Sequence, residues 1–109
     1  MRINFTFRHM DSSEAVKSHA TAKLKKLERF EDRQMSIESV FWVEKKFQKH
    51  VEFKVNGTHG TFLQTETRED MREAIDIAVD KLDRQLARAK DKAKHHKGHQ
   101  STTPRVLDM

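Results

Sequence analysis

Histidine is one residue type in this chain whose spacing could support chemistry. The 109 residues contain seven His and no Cys, so a disulfide, a thiolate metal site and a Cys nucleophile are excluded. Three His form the cluster His95-His96-x-x-His99, which could hold a transition metal. The nearest carboxylate is Asp91, one turn earlier, and the cluster falls where a predicted helix frays. We interpret it as a solvated, partly protonated basic end, and predict neither a metal nor another cofactor.

Carboxylates are the second candidate for chemistry. Asp76, Asp80 and Asp83 recur at helical spacing. Hydrolysis would need convergent carboxylates, or a Ser/His/Asp set, in a pocket, and the spacing indicates neither. We interpret these three residues as a solvated helix flank. The sequence therefore predicts that the protein is not an enzyme and has no small-molecule substrate.

Basic residues carry the strongest signal. The chain has 22 Lys and Arg against 17 Asp and Glu, a formal net charge of +5. Residues 17–29 hold a net +4 and residues 81–97 a net +5, so the rest of the chain sums to −4. Such a concentration of positive charge in two short segments indicates a polyanion as partner.

Helical spacing sorts this charge further. On the second helix the basic stripe consists of Lys81, Arg84, Arg88, Lys92 and His95, and on the first helix it consists of His19, Lys23, Lys26 and Arg33. A solvated helix usually mixes signs, because opposite charges four residues apart are mildly stabilising. The segregation indicates a compensating polyanion, while a solvated face remains the alternative for the two stripes together. Without a recognition-helix or RNP-type motif, we predict recognition of structured RNA by backbone and shape.

Periodicity predicts the elements that position these stripes. Residues 2–8 alternate as a half-buried strand, and a capping box at residues 11–14 opens a helix to about Arg33. Strands follow at 37–47 and 51–55, up to a hairpin turn at Asn56-Gly57, and again at 60–66, where either Phe62 or Leu63 points inward. Residues 67–70 are predicted to cap a long helix whose apolar pattern ends near His96. Trp42 is interpreted as a partly exposed strand aromatic.

The predicted fold class is α+β. The order is β-α-β-β-β-α, with both amphipathic helices packed on one face of a four-stranded sheet. One domain is expected over residues 1–96, followed by a disordered tail at 97–109. Only 35% of the residues are hydrophobic, which predicts a thin core, and no apolar run approaches a membrane span. We therefore expect a cytoplasmic protein without a membrane partner.

Three segments make the chain similar to a known family. They are Ala22-Lys23-Leu24-x-Lys26-Leu27-Glu28, Asp70-Met71-x-x-Ala74-Ile75-Asp76 and Asp80-Lys81-Leu82-x-Arg84-Gln85-Leu86. They resemble the ribosome hibernation promoting factors, a bacterial family that includes the ribosome-associated translation inhibitor. The resemblance covers residues 1 to about 96.

The resemblance implies a fold, a partner and a role. Members have the βαβββα fold, bind the small ribosomal subunit in the channel of mRNA and tRNAs, block translation and preserve idle ribosomes in stationary phase. Their basic helix faces contact rRNA, and the positions carried over are Lys23, Lys26, Lys81, Arg84, Arg88, Lys90, Lys92 and Lys94. A monomer is expected in isolation. The chain ends soon after the long helix, which resembles the short form that lacks a ribosome-dimerising domain.

The chain differs from the family pattern at two places, and two other classes of protein are considered as alternatives. Arg72 stands where the family commonly has Tyr, and the hairpin at 56–62 is slightly longer than in the shortest members. The main alternative is a generic structured-RNA-binding module like the dsRNA-binding domain, whose α-β-β-β-α order lacks a strand at residues 2–8. A protein-only interaction module would predict an exposed apolar patch, whereas the outward strand positions are mostly polar.

Overall fold

The structure, a computed structural model, describes residues 1–45 and 47–96, with side chains as far as Ala93. Its elements are β1 (Arg2–Arg8), α1 (Glu14–Leu24), a 3-10 helix (Lys25–Phe30), β2 (Ser36–Glu44), β3 (Gln48–Gly57), β4 (Gly60–Arg68) and α2 (Met71–His96). The predicted β-α-β-β-β-α order is confirmed. The predicted tail, residues 97–109, lies outside the described residues.

The four strands form one mixed sheet in the order β1-β2-β3-β4. β1 runs parallel to β2, and the β2–β3 and β3–β4 pairs are antiparallel. A parallel pair needs a crossover connection, and α1 with its 3-10 extension provides it. The N-terminal strand that separates this fold from the dsRNA-binding architecture is therefore present and paired.

The core lies between one face of the sheet and the two helices. Alternate strand residues, such as Ile37, Phe41 and Phe53, are fully buried beneath Leu24 and Leu82 from the helices. Aromatic rings link the first three strands, with Phe7 stacked on Phe41 and Phe53 edge-on to it. The predicted packing of both helices on one face of the sheet is confirmed.

The register of β4 resolves the alternative that the sequence left open. Phe62 pairs with Val55 and packs against the core, whereas Leu63 pairs with Lys54 and is 54% exposed. The same alternation turns Gln64 and Glu66 inward, because successive strand residues face opposite sides of a sheet. Two polar side chains thus occupy core-facing positions on an edge strand.

The first helix is shorter than its apolar pattern predicted. Ser13, rather than Asp11, is the N-cap, and its hydroxyl accepts a hydrogen bond from the Val16 N–H at 3.2 Å. The α-helix ends at Leu24 and tightens into the 3-10 helix, which closes at Glu31 with φ of 54°. The prediction of one helix to Arg33 was wrong, since apolar spacing does not distinguish an α-helical turn from a 3-10 turn.

Asp32 ties this corner to the β3–β4 hairpin. Its carboxylate accepts from the Thr58 N–H at 2.7 Å and from the Thr58 hydroxyl at 2.8 Å. The loop consists of residues 58 and 59, because Gly57 still pairs with Gly60. The predicted turn at Asn56-Gly57 was therefore two residues early. Gly57 has another reason to be glycine, since a Cβ there would lie 2.5 Å from Asp32 Oδ2.

α2 is the longest element and crosses β3 and β4. Asp70 opens it by accepting from the Arg72 N–H at 3.0 Å, while the other predicted capping residues, 67–69, belong to β4 or to the bend. Buried residues run from Met71 to Leu86, and none is buried between 87 and 93. The last turns of the helix therefore extend past the core. No described helix is long and apolar enough to cross a bilayer.

Candidate nucleic-acid interface

The basic stripe of α2 lies along the edge of the molecule next to β4. Arg84, Arg88 and Lys92 are exposed at successive helical turns, and none of them makes an ion pair with a described residue. Two open depressions of about 310 and 240 Å³ run between this stripe and β4. They share Gln85 and Arg88, and so form one groove with a cationic rim, the α2–β4 groove.

A polar network lies behind this groove. Glu66 is 7% exposed, and its Oε2 accepts from Lys81 Nζ at 2.7 Å and from Gln64 Nε2 at 3.0 Å. Arg68 lies 3.2 Å from Glu66 Oε1, and Gln85 Nε2 donates to Gln64 Oε1 at 2.7 Å. Burial by itself would raise the pKa of Glu66. The hydrogen bonds from Lys81 and Gln64, and the charges of Lys81 and Arg68, outweigh it and hold that pKa below its ordinary value.

The opposite flank of α2 carries acids that face α1. Asp76 contacts His19 at 2.7 Å and Lys23 at 3.9 Å. The two pairs that continue this row along the helices are Lys26 with Asp80 at 2.6 Å and Arg29 with Asp83, which is bidentate at 3.1 and 3.0 Å. We call this row the interhelix ion-pair ladder. The carboxylates of the predicted solvated flank thus make ion pairs between the helices, while the Asp76 and Asp80 side chains remain 42% and 59% exposed.

The ladder also affects protonation. The hydrogen bond from Lys26 is the main cause that holds the pKa of Asp80 below its ordinary value, since it stabilises the ionised carboxylate. Arg29 donates through two nitrogens of one guanidinium, the geometry that suits a carboxylate best. The sequence pattern predicts no role for Arg29, because its partner lies 54 residues away in the chain.

The eight predicted RNA-binding residues therefore fall into five environments. Lys23 and Lys26 belong to the ladder, and Lys81 is bound to Glu66. Arg84, Arg88 and Lys92 line the groove side of α2, while Lys90 is half-buried seven residues after Asp83, on the flank towards α1. Lys94 lies in the last turns of α2. The structure brings four of them, Lys81, Arg84, Arg88 and Lys92, onto one surface.

Other candidate sites give no comparable arrangement. Within the described residues no group of three His, Asp or Glu could hold a metal ion, and His99 of the predicted histidine cluster lies outside them. Trp42 is half-buried on the open face of the sheet and stacks on its register partner His50, with ring centroids 4.9 Å apart and planes 7° apart. His50 covers one face of the indole, which leaves less of that ring for a stacked base.

Residues 3–94, from β1 to the last turns of α2, match the model of a family described as "Sigma 54 modulation protein / S30EA ribosomal protein". The chain belongs to this family. The match includes the sheet from Ile3 onwards, the ladder and the α2–β4 groove, so the candidate interface lies within the family domain.

Curated relatives in this family carry one name. The ribosome hibernation promoting factor of Escherichia coli K12 is 38% identical over 97 residues, which cover 88% of this chain and 100% of that protein. The protein of the same name from Azotobacter vinelandii is 35% identical over 92 residues, 84% of this chain and 85% of the relative. The predicted family is therefore confirmed.

Solved structures of the family have the same fold. The N-terminal domain of Thermus thermophilus Protein Y has a TM-score of 0.75 at 28% identity, and the match covers 81% of this chain and 98% of that domain. A ribosomal subunit interface protein from Coxiella burnetii has a TM-score of 0.74 at 27% identity, covering 84% and 99%. Both matches confirm the α+β fold class.

Sequence reasoning missed the acidic residue Glu66 and its basic partner Arg68. Glu66 ended a predicted strand of unclear register and Arg68 belonged to the predicted helix cap, so the pattern did not show that Glu66 turns inward towards Lys81. One signal was available: the spacing from Phe62 through Gln64 to Glu66 is that of one strand face. It could be used only once Phe62 was known to point into the core.

Proposed function

We propose that this protein is a ribosome hibernation factor that binds the rRNA of the small ribosomal subunit through the basic flank of α2. The supporting observation is the line of Arg84, Arg88 and Lys92, which are exposed and have no carboxylate partner among the described residues. On the other flank the ladder pairs Lys23, Lys26 and Arg29 with carboxylates of α2. RNA phosphates provide the counter-charge that the α2 flank lacks inside the protein.

In this proposal the protein acts by occupying a binding channel of the ribosome. It lies in the channel where mRNA and tRNAs bind, blocks translation and preserves idle ribosomes, as a cytoplasmic monomer that requires no cofactor and catalyses no reaction. The relatives named ribosome hibernation promoting factor support this role. Lys81 and Arg84 contribute from the middle of α2, and Lys90, Lys92 and Lys94 extend the contact beyond the core. Lys23 and Lys26 reach RNA from the edge of the ladder, where they remain about half exposed.

Cosedimentation with purified small subunits across a salt series tests the proposal. We expect binding that weakens by roughly 0.7–0.9 log units per phosphate contact for each log unit of salt. Added protein should also inhibit translation in vitro. Protein that stays in the supernatant at low salt would contradict the proposal.

A triple charge reversal locates the surface. Arg84→Glu with Arg88→Glu and Lys92→Glu should abolish binding and leave the circular dichroism spectrum unchanged, since these exposed side chains have no ion-pair partner in the described chain. Lys81 is excluded from the set, because a carboxylate at that position would oppose the buried Glu66 and destabilise the fold.

The matched control reverses three exposed cations on the open face of the sheet, Arg2, Arg8 and Lys54. It changes the net charge by the same amount and should bind far better than the α2 variant. Equal binding by both triple variants would show that net charge, and not the α2 flank, directs the interaction.

A further inference from the structure

Glu66 is the only buried carboxylate among the residues that the structure describes. It ends an inward row whose other members are Phe7, Phe41 and Val51. An ionised carboxylate at such a position is costly unless its oxygens are fully hydrogen-bonded, and an apolar residue of similar volume would fill the row at lower cost. The position therefore calls for an explanation beyond core packing.

The contacts of Glu66 reach the basic flank of α2 directly through Lys81 and indirectly through Gln64. Lys81 and Gln64 donate to one oxygen, and Arg68 lies against the other. Gln85 donates to Gln64, which continues the same chain of hydrogen bonds back to α2. The carboxylate thus connects the edge strand to the middle of the basic helix at two points.

Glu66 lies behind Lys81 and outside the groove. The depression of about 310 Å³ is lined by Gln64, Lys81, Arg84, Gln85 and Arg88, and Glu66 is not part of its wall. The Lys81 side chain remains 44% exposed while its ammonium is bound to the carboxylate. An ammonium has three N–H donors, so donors remain for a ligand in the groove. A lysine that is already ordered also loses less conformational entropy when a ligand binds.

We propose that Glu66 is a positioning residue of the RNA interface, which fixes Lys81 beside Arg84 and Arg88 so that the α2–β4 groove receives one phosphate of an RNA backbone. The inference rests on the proposed function, because it takes structured RNA as the ligand. Lys81 supplies a compact charge held in place, and the two guanidinium groups supply the wider set of donors.

Glu66→Gln tests the proposal, because it shows whether RNA affinity rises or falls when the carboxylate is removed. Removal of a negative charge beside RNA strengthens binding by electrostatics alone, whereas loss of positioning weakens it. We expect the variant to bind a synthetic RNA hairpin about fivefold more weakly than the native protein at fixed salt, a coupling of ordinary size for contacting residues. Fluorescence anisotropy of the labelled hairpin measures this.

The matched control is Glu38→Gln. Glu38 is an exposed carboxylate on the open face of the sheet, without an ion pair in the described chain, so its removal changes the net charge equally. It should bind the hairpin as tightly as the native protein or more tightly. If Glu66→Gln behaves like this control, the positioning role is overturned.

A double-mutant cycle separates positioning from a structural role. Lys81→Ala should weaken hairpin binding several-fold in the native background and much less in the Glu66→Gln background, because Lys81 is no longer held there. Equal losses in the two backgrounds would overturn the proposal. Thermal melting followed by circular dichroism establishes that each variant is folded at the assay temperature.

NMR of the native protein gives a test that needs no variant. The Glu66 contact should slow the exchange of the Lys81 ammonium protons with water, relative to the ammonium protons of exposed Lys54. The Lys81 ammonium resonance should also shift when hairpin RNA is added. Exchange as fast as that of Lys54, or no shift on addition of RNA, would count against the proposal.

Failure of the proposed function gives a different result. If native protein binds the hairpin with the expected variant effects but does not sediment with small subunits, the ribosomal role fails and the positioning role stands. If it sediments with small subunits while Glu66→Gln binds the hairpin like Glu38→Gln, the ribosomal role stands and the positioning role fails. Native protein that binds neither overturns both.

Discussion

Ser39 and Glu66 show how differently two buried polar residues can be accommodated in one small core. Glu66 accepts two hydrogen bonds at one carboxylate oxygen, and its other oxygen forms an ion pair with Arg68. Ser39 is 1% exposed, and its Oγ has no hydrogen-bond partner among the described atoms. It lies between Phe5 and Phe53 in the register of the sheet, where a small side chain leaves room for the rings. The small side chain of Ser39 therefore suits the packing of the rings, whereas its unpaired hydroxyl destabilises the fold.

Ser39→Ala should stabilise the protein. The change keeps the small volume and removes an unsatisfied hydroxyl, which is worth about 1 kcal/mol in the free energy of unfolding. The measurement is chemical denaturation of the native protein and the variant. Ser39→Leu is the contrast: its added methylene and methyl groups would crowd the aromatic cluster and should destabilise by about 1–3 kcal/mol. A less stable Ser39→Ala would show that the hydroxyl has a partner.

At the scale of elements, the interhelix ion-pair ladder aligns α1 and its 3-10 extension with α2. Its members differ in exposure, since the Asp83 side chain is 18% exposed and that of Asp80 is 59% exposed. Exposed ion pairs contribute little, because water screens them and long side chains lose entropy. The Arg29–Asp83 pair, bidentate and closer to the core, should therefore contribute most to helix docking.

Asp83→Ala should lower the melting temperature by several degrees and Asp80→Ala by less. Asp91→Ala is the control, because Asp91 is exposed on the same helix and makes no ion pair with a described residue. Circular dichroism melts at low and high salt measure the effect, which should shrink with salt for Asp80→Ala in particular. Equal effects of the three substitutions would show that only helix propensity changed.

For the whole molecule, the stability of the fold depends on pH through the carboxylates whose pKa values are lowered. Burial alone would raise the pKa of Asp32, but hydrogen bonds from Thr58 and Gln34 lower it, as the contacts described above do for Glu66 and Asp80. A carboxyl group with a lower pKa in the folded than in the unfolded state stabilises the fold when ionised. That stabilisation is present above the ordinary values of 4.5 for Glu66 and 3.8 for the two Asp, and is lost as the pH falls below them.

The melting temperature should therefore fall steeply as the pH is lowered from about 5 to about 3. The stability difference between native protein and Glu66→Gln should be largest above about pH 5 and shrink on acidification, because only the ionised carboxylate distinguishes them. Differential scanning calorimetry across the pH series measures both. A difference that stays constant with pH would mean that the charge of Glu66 does not contribute.

Much of the fold and part of the site could be predicted from the chain alone. The alternation around Phe5 and the helical recurrence around Leu82 encode which side of each element is buried, because strands and helices repeat every 2 and 3.6 residues. The element order, the packing on one face and the basic flank of α2 follow from such local patterns. The hairpin loop at residue 58 depends on contacts with Asp32, and apolar spacing does not distinguish the 3-10 turn after Leu24 from an α-helical turn, so both escaped prediction.

What the sequence by itself determined is where the positive charge lies along the chain. Only the tertiary structure decided which of those cations are already neutralised. The ladder joins α1 and its 3-10 extension to residues 53 to 57 positions further on, and Lys81 reaches back 15 positions to Glu66. Those pairs depend on the alignment of the helices with each other and with β4, which comes from core packing and not from any local period. The free cationic surface is therefore a property of the folded molecule.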